Sequence, residues 1–111
     1  MSKRGNAEFL ADIAEAITRI AGYTHNIDYN GFLQNEMAQD AVVRNLQIIG
    51  EAAKNISLDF KKKHMDVEWK KMAGLRDKII HHYFGISWDI VWDTAKNKLP
   101  GVLARIKNIR K

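Results

Sequence analysis

Apolar residues recur along this chain at steps of three and four, and strand-like alternation is nearly absent. Such spacing stacks side chains on one face of a helix. Phe9, Ile13, Ile17 and Ile20 form one such stripe, which predicts a first helix ending near Gly22. Residues 26–31, Asn-Ile-Asp-Tyr-Asn-Gly, read as a turn. Val42, Leu46, Ile49, Ala53 and Ile56 then step 4-3-4-3, the seam of a longer packed helix. Asp40 and Arg44 sit four apart on its outer side and can pair for ~0.3 kcal/mol. Gly50 lies inside this helix at a cost of about 1 kcal/mol relative to Ala. Close approach of another helix would explain it.

Lys61, Lys62, Lys63 and His64 read as a solvated loop or a helix end. Asp66 is placed to N-cap a short helix through Trp69 and Met72, stopped by Gly74. Residues 75–84 are expected to form the next helix, with Gly85 at its C′ position. Ser87 can cap the last helix, and Asp89 suits the dipole in its first turn. Trp88, Trp92, Ala95, Leu99, Val102, Ile106 and Ile109 carry the seam to the end. Pro100-Gly101 should kink or break it, because Pro lacks a backbone donor. The pattern is all-α, most economically an antiparallel bundle of four to five helices.

At 111 residues the chain is read as one domain, large enough for a single core. It has no Cys, which excludes disulfides and thiolate metal sites. No apolar run approaches the roughly 18–20 residues needed to cross a bilayer. The start, Met1-Ser2-Lys3-Arg4-Gly5, lacks an apolar export segment, so a cytoplasmic location is expected. A net charge of +5 permits binding to a polyanion such as RNA but does not demonstrate it.

Candidate chemistry concentrates in one segment. Arg76 is followed after four residues by His81, and after one more by Tyr83. A guanidinium fork suits a phosphodiester, and an imidazole can move protons near neutral pH. On a continuous helix Arg76 and Tyr83 share a face, whereas His81 stands about 140° round from Arg76. An ideal helix alone therefore leaves the pair apart. A long Arg side chain, a loosened final turn, or two chains meeting at this surface would bring them together. His81 and His82 fall in the expected last turn, where the dipole favours the imidazolium. Asp77, four residues before His81, can accept from its ring and fix its tautomer. Such a group can shuttle the 2′-hydroxyl proton of RNA while Arg76 stabilises charge on the phosphate, with no metal or other cofactor. A basic residue in a last helical turn more often only offsets the dipole, so spacing by itself leaves catalysis the weaker reading.

Other residues weigh less. The imidazoles of His25, His64, His81 and His82 lack paired metal-ligand spacing. Trp69, Trp88 and Trp92 can stack bases but at bundle spacing belong to the core. Glu51 can face a polar pocket, though a solvated helix face suits it better. Arg105, Lys107, Arg110 and Lys111 make a basic tail, and Arg44 with Asn45 is a polar step placed to border the same cleft as the motif.

The segment WKKMAGLRDKIIHHYFGI at 69–86 resembles the signature of the HepT-like branch of the HEPN superfamily. DAVVRNLQIIGEAAKNIS at 40–57 resembles the long second helix of the same family. With the helical order, the likeness covers nearly the whole chain. The family's Arg, four residues, His, one residue, Tyr pattern falls on Arg76, His81 and Tyr83 without departure. The resemblance implies an all-α homodimer with the motif helices near the shared interface. It implies a metal-independent ribonuclease toxin, paired with a small nucleotidyltransferase-fold antitoxin that can transfer AMP to Tyr83. Carried over, Arg76 and His81 would be catalytic and Tyr83 the modification target or an RNA contact; on the motif's own chemistry, Asp77 or His82 adds secondary support. The alternative is a non-catalytic nucleotide-binding or partner-docking subunit.

Overall fold

A computed structural model describes residues 5–81 and 85–110, with the backbone alone at 80 and 81. Helix α1 spans Asn6–Thr24, and its start is fixed by the Glu8 carboxylate, which accepts from the Gly5 N–H at 3.0 Å. Ile13, Ile17 and Ile20 are buried as the stripe requires, and Phe9 packs against the core's edge. The helix runs two residues past Gly22. The chain then turns at Asn26, whose φ of 66° lies in the left-handed region that Asn tolerates.

The expected turn at 26–31 is only half a turn. Asp28 accepts from the Gly31 N–H at 2.8 Å and so nucleates a short helix α2, Tyr29–Leu33. This helix drives Phe32 into the core, where its ring lies 5.8 Å from that of Trp88 and 5.2 Å from that of Trp92. Those two tryptophans are thereby core-edge residues.

Helix α3, Glu36–Asn55, is capped by Asn35, whose side chain accepts from the Ala38 N–H at 3.0 Å. Val42, Leu46, Ile49 and Ala53 are fully buried, as the 4-3-4-3 seam requires. Its most extensive packing is against α1. The Asn6 amide donates to the Ser57 hydroxyl at 3.0 Å, and the Ser57 N–H donates to the Asn6 side-chain oxygen at 2.9 Å. These bonds join the start of α1 to the end of α3, so the two helices run antiparallel. Asp40 and Arg44 form no ion pair; among the described residues the helix-surface pairs are Glu15 with Arg19 and Glu68 with Lys71. Both are solvated, where a pair gains little over its entropy cost.

The lysine run ends helix α4, Leu58–Lys63, which is capped by Ser57. Helix α5 covers Trp69–Ala73 and ends at Gly74, as expected, but Glu68 rather than Asp66 precedes it. The reason is local: the Trp69 indole N–H donates to the His64 carbonyl at 2.9 Å, and that bond folds 64–68 into turns before the helix begins. Gly50 proves to be a contact position. A Cβ there would meet the Met72 carbonyl oxygen at 3.3 Å and that of Ala73 at 3.5 Å, so α5 crosses α3 where side-chain bulk is missing.

Helix α6, Leu75–Ile79, follows at once. The last seam is continuous in space but not in hydrogen bonding. Helix α7, Trp88–Asp93, passes through a π-helical turn, Thr94–Lys98, into α8, Leu99–Ile109. The Leu99 N–H reaches back five residues to the Thr94 carbonyl, so the register has already slipped where Pro100 can offer no donor. Ser87 precedes α7 without a side-chain cap bond. The Lys96 ammonium donates to the Thr24 carbonyl at 3.3 Å, tying the end of α1 to the last helical run. The described residues thus form an all-α bundle around one buried core. None of its helices is long and apolar enough to cross a membrane.

Candidate ribonuclease site

The expected helix over 75–84 does not form. Helix α6 stops at Ile79, and the chain enters a two-residue strand β1, Ile80–His81, paired antiparallel with β2, Gly85–Ile86. The Ser87 N–H donates to the Ile79 carbonyl at 2.8 Å, which closes the hairpin on the helix end. Gly85 has a φ of 77°, so the left-handed residue expected after a helix instead shapes the return of a hairpin. The physical reason is competition at Ile80. Pairing with Ile86 across the hairpin replaces helical bonds at Ile80, a β-branched residue that favours extended backbone.

This changes the geometry of the motif. Arg76 and His81 are not on one helix, so the angular offset of an ideal helix no longer separates them. Asp77 is not one helical turn below His81, and His81 is not in a helix's last turn. Arg76 and Asp77 are exposed on α6. His81 lies on β1 opposite Gly85. The His81 side chain, and His82, Tyr83 and Phe84, lie outside the described residues, as does Lys111.

Arg76 opens onto a groove of about 520 Å³ whose other wall is α3. Arg44, Gln47, Ile48 and Glu51 line that wall. The expected border role of Arg44 holds, and Glu51 is both exposed and part of the groove. Asn45 faces the other way. It is buried between α3 and α1, its amide donates to the Ala41 carbonyl at 2.9 Å, and its side-chain oxygen has no partner among the described residues. Gln47 and Ile48 were not singled out in the sequence. Their spacing from Arg44 and Glu51 was the available signal, since i, i+3, i+4 and i+7 share one helix face.

A larger concavity, about 830 Å³, lies elsewhere, with an apolar floor of Met65, Val67 and Ala73 and a rim of lysines. It contains Glu68, whose carboxyl is held below its ordinary range mainly by the hydrogen bond and charge of Lys71. That shift reflects a solvated ion pair, and among the described residues no imidazole lines the concavity. Size therefore does not locate the chemistry. His64 packs its ring 4.5 Å from that of Phe60, and Trp69 is buried, both in structural roles. Among the described residues no cluster of three or more His, Cys, Asp or Glu could hold a metal.

The described residues are thus a helical bundle in which Arg76, without an ion-pair partner among them, opens onto a groove walled by α3, and His81 follows on β1. Comparison with known proteins then places the chain. The family model described as "Ribonuclease HepT-like" matches residues 13–109. Over 109 residues the chain is 44% identical to the probable ribonuclease HepT of Thermococcus cleftensis, covering 98% of this chain and 99% of that protein. It is 45% identical over 111 residues to a candidate RNase of Methanocaldococcus jannaschii, covering 100% and 92%. A candidate RNase of Caldanaerobacter subterraneus subsp. tengcongensis is 41% identical over 93 residues, covering 84% and 80%. No solved structure matches the chain. The chain belongs to the HepT-like ribonuclease family.

Proposed function

We propose that this chain is a metal-independent endoribonuclease that cleaves RNA at the groove beside Arg76, as the toxin of a HEPN and nucleotidyltransferase toxin–antitoxin pair. The observation that carries the reading is the groove: an exposed guanidinium with no ion-pair partner among the described residues, five positions before a histidine held on a hairpin rather than a helix. His81 takes the proton of a ribose 2′-hydroxyl. The O2′–phosphorus bond forms, the phosphorus–O5′ bond breaks, and the proton passes to the departing O5′. Arg76 stabilises the charge that accumulates on the phosphoryl oxygens. Asp77 and His82 support the imidazole. DNA lacks the internal nucleophile and is not a substrate.

The family likeness supports the finer parts of the reading. The chain acts as a single domain and as a homodimer, with two motif segments completing one cleft. A nucleotidyltransferase-fold antitoxin neutralises it by transferring AMP to the Tyr83 hydroxyl, and the protein acts in the cytoplasm. Overproduction without the antitoxin should arrest growth, and His81→Ala should relieve the arrest while the protein stays folded. Continued arrest by a soluble His81→Ala variant would refute the assignment. Mass spectrometry after incubation with the antitoxin and ATP should find AMP on Tyr83; an unmodified Tyr83 under turnover contradicts that mode of control.

A further inference from the structure

The groove beside Arg76 holds a second guanidinium that the chemistry above leaves unused. Arg44, Gln47, Ile48 and Glu51 form one stripe along α3, and Arg76 faces them from α6. Arg44, Glu51 and Arg76 are all exposed. Among the described residues, none of the three makes an ion pair or a side-chain hydrogen bond. Asp40, one turn before Arg44, leaves it unpaired although the spacing allows a bond. An arginine that served the bundle would spend its fork on a carboxylate or a carbonyl. Here two forks stand over one concavity with their donors unused, and like charges so placed repel until an anion arrives.

We propose that Arg44 is a second phosphate-binding residue of the RNA site, gripping a backbone phosphate next to the one Arg76 attends. Glu51 favours a polynucleotide over a free phosphate ion. A bare anion would be repelled by this carboxylate, whereas an RNA strand alternates phosphates with ribose hydroxyls that can donate to it. Gln47 adds an amide able to donate or accept at the same wall. The inference rests on the proposed RNA cleavage and extends it from the reacting phosphate to its neighbour.

The test measures binding of a short fluorescent single-stranded RNA to full-length protein over a range of salt concentrations. All binding samples carry His81→Ala, so that the RNA stays intact. Arg44→Gln should weaken binding about tenfold and flatten the plot of log affinity against log salt by about 0.7, the loss of one phosphate contact on a single strand. Arg44→Lys should keep most of the slope. Lys63→Gln removes one charge from α4, outside the groove, and should leave the slope unchanged. Cleavage by Arg44→Gln in an otherwise native chain should show a raised KM with a smaller change in kcat. If Arg44→Gln binds with the parent's affinity and slope while the native chain cleaves RNA, this inference falls and the Arg76 and His81 assignment stands. Equal flattening by Lys63→Gln would also overturn it, because diffuse charge would then explain the binding. If the native chain neither binds nor cleaves RNA, the proposed function fails and takes this inference with it.

Discussion

Arg76 stands at an open groove with no ion-pair partner among the described residues, and His81 stands on backbone that has left the helix. In the proposed reaction the first group stabilises charge and the second transfers a proton, so their removal should cost different amounts. Losing the general acid–base group should lower cleavage by about 10²–10⁴-fold. Losing the charge stabiliser should lower it by about 10²–10³-fold. Arg76→Lys should recover only part of the loss, because an ammonium cannot present a planar fork to two phosphoryl oxygens. Steady-state cleavage of a defined RNA checks these values, and full activity in Arg76→Lys would contradict the need for the fork. At this scale residue types and spacing single out Arg76 and His81, and the proposed roles rest on that pattern together with the family likeness. The backbone that carries His81 was not legible, because the hairpin depends on a pairing of Ile80 with Ile86 that periodicity does not register.

Among the elements, α3 does most to place the site, since one face builds the core and another walls the groove. Its seam was readable because each buried position repeats at helical spacing. Gly50 was readable as an anomaly whose cause is the crossing of α5. Gly50→Val should therefore lose about 1–3 kcal/mol by overpacking against backbone carbonyls that cannot rotate away. Denaturant unfolding gives the value, and an unchanged midpoint would show that α5 does not press on α3 in solution. Phe32→Ala should cost about 3–5 kcal/mol, since its ring is fully buried against Trp88 and Trp92. A loss below 1 kcal/mol would contradict that packing. Helix α2 itself was missed because Asn, Asp and Gly mark turns and helix starts alike; the Asp28 cap decided between them. Pro100 announced a break, but the distortion falls upstream, as the π-helical turn that lets the chain reach Pro100 already out of α register.

The molecule as a whole is a helical bundle whose most lysine-rich concavity is not the groove proposed for RNA cleavage. Lysines rim an apolar concavity, whereas the groove of Arg44, Glu51 and Arg76 carries only a small net charge but an unused set of donors. Overall basicity therefore says little about where RNA is cut, and the arrangement of a few groups says more. The most direct test of the account is cleavage of a single-stranded RNA by purified protein in excess chelator, with Arg76→Ala and His81→Ala assayed beside the native chain after each is shown to be folded. The account predicts cleavage by the native chain despite the chelator, and a loss of at least about 10²-fold in each variant. Undiminished cleavage by both folded variants would contradict it.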